Sequence, residues 1–100
     1  MTESIICNDR RCYICARQSD LECHHIIHGN ANRKIADKDG LWVYLCHRCH
    51  TLLHDKGMHD KRIQAIGQQR WMETFYPGDK DKALEEWHKR YGKSFIEWGD

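Results

Sequence analysis

The sequence predicts a single α+β domain of 100 residues, with a small metal-stapled core over residues 7–59 and a helical extension over residues 60–98. Three observations support this fold class. Two Cys-x-x-Cys pairs lie in the first zone, two short runs rich in β-formers accompany them, and apolar residues recur at helical spacing in the second zone. All six cysteines and seven of the eight histidines fall within residues 7–59. We therefore expect the chemistry in the first zone.

The elements of the first zone follow from composition and from punctuation by glycine. The runs "LECHHII" (21–27) and "LWVYL" (41–45) are expected to be strands. The intervening "ANRKIADKDG" fits either one short helix stopped by Gly40 or a long loop. "CHRCHTLLHDKG" is rich in helix formers and ends at Gly57, a residue suited to follow a helix C-terminus.

Two amphipathic helices are predicted in the second zone, separated by the "YPGD" segment at Pro77 and Gly78. Their aromatic side chains are expected mostly in the core, because such stripes usually mark buried faces. The stripes consist of Ile63, Ile66, Trp71 and Phe75, and of Leu84, Trp87 and Tyr91, with Phe95, Ile96 and Trp98 docking back after the second helix.

Composition restricts the cellular setting. No run approaches the roughly 18 apolar residues of a membrane span, and the N-terminus lacks the apolar region of a signal peptide. We therefore expect a cytoplasmic protein with no membrane partner. In a reducing compartment, six cysteines favour metal binding over disulfides. The formal charge of +1 is not that of a simple nucleic-acid binder, so any DNA contact must come from local patches or from a bound cation.

The two Cys-x-x-Cys pairs carry the strongest signal. Their spacing lets four thiolates surround one tetrahedral Zn²⁺. Thirty residues separate the pairs, which is more than the roughly 15–20 of a compact zinc ribbon. The excess contains the strand with adjacent histidines, so the zinc is expected to be structural and to hold that strand in place. The four zinc ligands expected are Cys12, Cys15, Cys46 and Cys49.

The cysteine pairs, "HHI" at 24–26 and "LCHRCHTLLH" at 45–54 together resemble the zinc-stapled HNH endonucleases. Those enzymes have a treble-clef-like ββα-metal core. The likeness covers about residues 10–60 and implies a metal-dependent endonuclease that hydrolyses DNA phosphodiester bonds. It also implies His24 as a ligand of the catalytic cation, His25 as general base and His50 as a second cation ligand on the helix.

One position departs from the family. Nine residues before His50 the family usually has Asn, which often steadies the connection between the strands, whereas this sequence has Leu41. Asn30 or Asn32, on the intervening segment, could supply a substitute.

The chemistry of the residues agrees with these roles. Phosphodiester hydrolysis needs an activated water and neutralisation of charge on the leaving oxygen, and a neutral imidazole is suited to take the proton near pH 7. Alternation on a strand predicts that His24 and His25 face opposite sides. His50 and His54 share a helix face at i, i+4, so His54 is a further candidate ligand, as is His59. Mg²⁺ or Mn²⁺ is expected as the catalytic cation, with Ni²⁺ or Zn²⁺ as alternatives that suit imidazole ligands.

A narrower likeness extends into the second zone. The segments Gly57–His59, Gln68–Phe75 and Gly92–Phe95 occur in the order seen in small phage-encoded HNH proteins and RecA-dependent recombination nucleases, which the chain resembles by pattern. This likeness implies that His59 belongs to the metal site. It further implies a location in the bacterial host cytoplasm. DNA would be the partner, together with a recombinase filament or another phage or host DNA-processing protein.

Three basic pairs could bind phosphates on either side of the histidines. Such contacts position DNA without reading its sequence, so low sequence specificity or targeting by a partner is expected. A solvated surface of mixed charge is the alternative interpretation. The pairs are Arg10 with Arg11, Arg33 with Lys34, and Lys61 with Arg62.

Two other functions compete with the nuclease hypothesis. A non-catalytic zinc module that binds nucleic acid or protein would hold zinc but no second cation, and Leu41 keeps this alternative open. A redox or zinc-sensing protein would use the cysteine pairs as reactive thiols. The "HHI" strand and the histidine-bearing helix disfavour the redox alternative, because a redox switch needs neither.

Overall fold

The computed structural model describes residues 2–96, apart from the side chain of Asn30, and has the predicted α+β class. Within these residues, one sheet of two antiparallel strands is accompanied by four helices. No helix in this range is long and apolar enough to cross a membrane. Trp98, expected to dock on the core, lies outside the described residues. The elements are β1 (Leu21–His25), α1 (Asn30–Asp39), β2 (Trp42–Cys46), α2 (His47–Lys56), α3 (Asp60–Phe75) and α4 (Lys80–Tyr91).

Strand β1 is two residues shorter than the apolar run that predicted it. The register pairs Leu21 with Cys46 and His25 with Trp42, where the sheet ends. Ile26 and Ile27 follow the strand as fully buried core residues. The backbone N–H of Ile26 still donates to the carbonyl of Leu41 at 3.2 Å. The apolar run therefore includes residues 21–25, which lie in the sheet, and residues 26–27, which are buried in the core after the strand ends.

Helix α1 resolves the alternative between helix and loop. It ends at Gly40, whose φ of +75° lies in the left-handed region and whose N–H reaches the carbonyls of Ala36 and Asp37. Only glycine adopts this conformation without a steric penalty from Cβ. The chain then enters β2 after a single residue, Leu41. Helix α1 thus spans the connection between the two strands and lies close to the end of β1.

Helix α3 packs closely on the strand connection. Gly67 lies against the side chains of Ile26 and Leu41, and a Cβ at this position would collide with Cδ1 of Ile26. Leu41 is fully buried. An asparagine at position 41 would bring an amide into this apolar contact, at a cost in free energy unless it found partners. Packing therefore favours the leucine that the sequence has at position 41.

A buried carboxylate joins α1 to the two C-terminal helices. Asp39 accepts hydrogen bonds from Nε1 of Trp71 at 2.9 Å and from the hydroxyl of Tyr91 at 2.7 Å. Arg90 binds the same carboxylate through two nitrogens, at 2.6 and 2.7 Å. Four donors around one carboxylate offset the cost of burying its charge. Phe75, by contrast, was expected in the core but is 47% exposed, with its ring 5.4 Å from that of Trp71.

Candidate metal centres

The two Cys-x-x-Cys pairs converge on one point. Cys12 lies in the turn before β1, and the second pair spans the junction of β2 with α2. All four sulfur atoms lie within 4.8 Å of one another, and Sγ of Cys15 is 3.7 Å from Sγ of Cys46. Two ligands of a tetrahedral zinc with Zn–S bonds of about 2.3 Å lie roughly 3.8 Å apart. The group Cys12, Cys15, Cys46 and Cys49, hereafter the cysteine cluster, could therefore hold a structural metal such as zinc.

Electrostatics in the cysteine cluster favour a bound cation. Burial raises the pKa of the Cys12 thiol, but hydrogen bonds from the backbone of Cys15, Cys46 and Ile14 outweigh it, and the pKa falls to about 6. Burial raises the pKa of Cys49 far above its ordinary value, and hydrogen bonds to neighbouring sulfurs and the charge of Cys12 add to the effect. One thiolate thus opposes formation of the next, and a divalent cation would remove this conflict.

Three imidazoles form a second group. Nδ1 of His24, at the end of β1, lies 3.3 Å from Nε2 of His50 on α2. Nε2 of His54, one turn further along α2, lies 3.0 Å from the same atom. Nitrogens that bind one tetrahedral ion at about 2.0–2.1 Å are separated by roughly 3.3 Å. We call His24, His50 and His54 the histidine group, and its spacing fits a single divalent ion.

Glu22 determines which nitrogen His50 presents to this group. One Glu22 oxygen lies 2.8 Å from Nδ1 of His50 and the other lies 3.1 Å from Nδ1 of His47. A carboxylate only accepts, so Nδ1 of His50 carries the proton and Nε2 has a free lone pair. Two neighbouring imidazole nitrogens approach that lone pair, and it is the form in which histidine binds a metal. Hydrogen bonds to these two histidines hold the pKa of Glu22 below its ordinary value.

His24 provides the test of whether a cation fits. His24 is 2% exposed, and the ring nitrogen that faces His50 is Nδ1. Its Nε2 is buried without a hydrogen-bond partner, and a cation bound at Nδ1 would not supply one. Burial, together with the charges of the neighbouring histidines, lowers the pKa of His24 to about 3. His24 is therefore neutral at physiological pH, and three imidazoles with ligand atoms within 4.8 Å of one another fit a bound cation.

His25 faces away from this group, as alternation along the strand predicts. Its Nε2 lies 3.1 Å from Oδ1 of Asp37 on α1. The ring still reaches the cavity of about 210 Å³ that contains His24, His50 and His54. We call this the histidine cavity. His25 is thus next to the histidine group without belonging to it.

The structure separates the remaining histidine candidates. His59 is exposed at the start of α3, with a φ of +65°, and does not belong to the histidine group found in residues 2–96. His28, which no sequence pattern marked as functional, lines the histidine cavity, and its Nε2 lies 2.9 Å from Oδ1 of Asp60. Asn32, one of the two candidate substitutes for the family asparagine, donates to the carbonyl of His28 at 3.2 Å. The side chain of Asn30, the other candidate, lies outside the described structure.

Two of the three basic pairs lie around the histidine cavity. Arg33 lines that cavity and also a neighbouring one, which it shares with Lys34. Lys61 and Arg62 line a groove that meets the histidine cavity at His28. The remaining pair lies near the cysteine cluster, where Arg11 binds Asp9 at 3.1 Å and the guanidinium of Arg10 lies 5.9 Å from the centre of the Tyr44 ring.

Comparisons with known proteins add no relative: no family model, no curated protein and no solved structure matches this chain. Its function must therefore be argued from the chemistry of the two metal centres.

Three acidic residues that contact histidines of the cavity were not predicted from the sequence. Glu22, Asp37 and Asp60 each contact a histidine of the cavity. Glu22 had one available signal, because it lies two residues before His24 and therefore on the same face of a strand. Asp37 and Asp60 had none, since they reach their histidines from separate helices.

Proposed function

We propose that the protein is a metal-dependent endonuclease of the HNH type that hydrolyses phosphodiester bonds in DNA. The observation that supports it is the convergence of His24, His50 and His54 on one point, beside an imidazole, His25, that faces another way. The hairpin of β1 and β2 followed by α2, with the cysteine cluster at the junction, is compatible with a ββα-metal core in which α1 occupies the connection between the strands.

In this proposal the histidine group holds the catalytic cation, with Mg²⁺ or Mn²⁺ as the first candidates and Ni²⁺ or Zn²⁺ as alternatives. A bound cation supplies electrostatic stabilisation of the negative charge that develops on the leaving 3′ oxygen. The protein supplies three neutral imidazoles. Glu22 fixes one of them in the ligating tautomer, and burial keeps His24 unprotonated. The cysteine cluster has only a structural role, because its sulfurs face one another.

His25 is the general base in this proposal. Its side chain is 16% exposed, so water reaches it, and it lines the same cavity as the histidine group. It removes a proton from the attacking water, which adds to phosphorus while the P–O3′ bond breaks. Proton transfer of this kind contributes about 10²- to 10⁴-fold in rate.

Basic side chains around the cavity position the DNA backbone. Arg33 and Lys34 lie on the His25 side, and Lys61 and Arg62 lie on the His28 side. Phosphate contacts carry no sequence information, so the proposal includes low intrinsic sequence specificity. A recombinase filament or another DNA-processing protein is the candidate partner that would target cleavage.

The test is cleavage of supercoiled plasmid by purified protein in EDTA, Mg²⁺ or Mn²⁺, with His25→Ala beside the wild type. We expect cation-dependent cutting that falls about 10²- to 10⁴-fold in His25→Ala while zinc content stays unchanged. His88→Ala is the matched control, since His88 is exposed on α4. Equal cutting by wild type and His25→Ala would refute the assignment of the base.

If bare plasmid is not cut, the assay is repeated with DNA strands coated with a recombinase. If no cation promotes cleavage of either substrate, the nuclease proposal fails. Stoichiometric zinc with no second cation bound would then identify the chain as a non-catalytic zinc module.

A further inference from the structure

The carboxylate of Asp37 is placed to orient His25. Asp37 lies on α1, two residues before that helix ends, and its Oδ1 is 3.1 Å from Nε2 of His25 at the end of β1. Twelve residues separate the two in sequence. The contact depends on α1 spanning the connection between the strands, so it belongs to the tertiary fold and not to a local motif.

The position of Asp37 is fixed by backbone hydrogen bonds of the strand connection. The N–H of Leu41 donates to the carbonyl of Ala36 at 2.8 Å, and the N–H of Gly40 donates to the carbonyl of Asp37 at 3.4 Å. Ala36 is fully buried next to it. Leu41 is also fully buried and offers only an apolar side chain. Asp37 is therefore the group of this turn that provides His25 with an acceptor.

We propose that Asp37 is a positioning residue for His25: it accepts the Nε2–H hydrogen bond and leaves the Nδ1 lone pair to take the proton from water. This inference rests on the proposed nuclease function. A neutral imidazole has one protonated and one unprotonated nitrogen, and a carboxylate on one nitrogen determines which is which. Without that acceptor, the ring has less reason to keep one tautomer and one orientation.

The cavities on the two sides of the ring support this assignment. His25 lines the histidine cavity and also a separate cavity of about 580 Å³ formed with Arg33, Lys34 and Asp37. His25 therefore borders both cavities. Because Nε2 is engaged by Asp37, Nδ1 is the ring nitrogen that remains to accept a proton from water.

An ordinary surface ion pair would only attach α1 to β1. Asp37 is 41% exposed in its side chain, and such pairs contribute little to stability. Removing the carboxylate should therefore leave the fold and both metal sites intact. The two roles differ in what they predict: a positioning role changes turnover, whereas a merely structural role changes only the melting temperature.

The experiment compares wild type, Asp37→Ala and Asp37→Asn. For Asp37→Ala we expect kcat to fall about 10- to 100-fold, with KM and cation affinity unchanged. This decrease is smaller than the decrease expected for His25→Ala. The melting temperature should stay within about 3 °C of wild type, because an exposed pair adds little. Asp37→Asn keeps an acceptor oxygen, so it should lose less activity than Asp37→Ala.

Nitrogen NMR of the imidazoles provides a second readout that does not depend on cleavage. In wild type, His25 should show a hydrogen-bonded Nε2–H resonance that is absent in Asp37→Ala. Asp60→Ala is the matched control, because it removes a carboxylate from His28 instead and should leave the His25 resonance in place. A wild-type ring protonated at Nδ1 would overturn the proposal.

The outcomes separate this inference from the proposed function. Active wild type with an equally active Asp37→Ala overturns the positioning role and leaves the nuclease intact. A lower melting temperature in Asp37→Ala, with kcat unchanged from wild type, would show that the contact is only structural. Wild type that cuts no substrate with any cation would overturn both proposals, since a base must exist to be positioned.

Discussion

The Asp39 carboxylate should contribute several kilocalories per mole to stability, and Asp39→Ala tests this. The substitution deprives Nε1 of Trp71 and the hydroxyl of Tyr91 of their acceptor. Trp71 is 4% exposed and Tyr91 is 5% exposed, so water cannot easily replace the lost carboxylate as their acceptor. A buried donor left unsatisfied costs about 1–3 kcal/mol. The side chain of Arg90 is 39% exposed and can be resolvated, so its lost pair adds at most about 1 kcal/mol.

Together these losses predict a destabilisation of roughly 2–7 kcal/mol. In a domain of this size each 1 kcal/mol lowers the melting temperature by about 4–8 °C, so Asp39→Ala should melt at least about 8 °C below wild type. The assay is thermal and urea unfolding followed by circular dichroism at constant zinc. Tyr91→Phe removes one donor and leaves the carboxylate bound, so it should cost only about 1 kcal/mol.

Glu73→Ala is the matched control, because Glu73 is an exposed carboxylate on α3 that contacts only Gln69, at 3.4 Å, in the bonds described. It should change stability by less than about 0.5 kcal/mol. If Asp39→Ala were no more destabilising than Glu73→Ala, the network would contribute nothing and the reasoning from burial would be wrong.

Three further predictions concern the metal centres. Cys46→Ser should lower both the zinc content and the melting temperature, because Cys46 belongs to the cysteine cluster. Cys7→Ser, outside the cluster, should retain one zinc per chain by elemental analysis. Full zinc retention in Cys46→Ser would exclude the site. Glu22→Gln should weaken cation binding at the histidine group about 10- to 100-fold by calorimetry, because Nδ1 of His50 loses its carboxylate partner, and unchanged affinity would contradict the tautomer argument. The depressed pKa of His24, about 3, means that unfolded chains bind a proton below about pH 6.5 that folded chains do not, so stability contributed by this residue is lost as the pH falls from about 6.5 toward 3. His24→Gln should therefore show a shallower loss of urea stability over that range than wild type, and parallel curves would refute the assignment.

The sequence predicted those parts of the molecule that depend on local spacing. Two residues between paired cysteines place both sulfurs on one side of a tight turn, and the four sulfurs do converge. A spacing of four positions from His50 to His54 places both rings on one helix face, and their Nε2 atoms are 3.0 Å apart. Within each cysteine pair and between the two histidines, the geometry of a turn or a helix determines the distance, whereas the meeting of the two cysteine pairs depends on the tertiary fold.

The parts that escaped prediction depend on long-range contacts. Asp39 and Arg90 are 51 residues apart, and neither carries a motif that marks it as a partner of the other. Asp37 lies on a segment that fitted a helix or a loop, and only the helix brings its carboxylate to His25. Strand β1 was predicted two residues too long, because an apolar run does not distinguish residues buried in a sheet from residues buried in the core.

The cysteine cluster and the histidine group are adjacent, which links the proposed activity to the supply of zinc. Cys49 and His50 are consecutive residues, so the first turn of α2 belongs to both the cysteine cluster and the histidine group. A chain that has not acquired zinc lacks the anchor for that turn, and metal-dependent folding of small domains makes such an anchor decisive. All four sulfurs precede residue 50, so the cluster can close during synthesis before α3 and α4 leave the ribosome. Under the proposed function, acquisition of zinc would then precede activity, and chains made without zinc would be inactive.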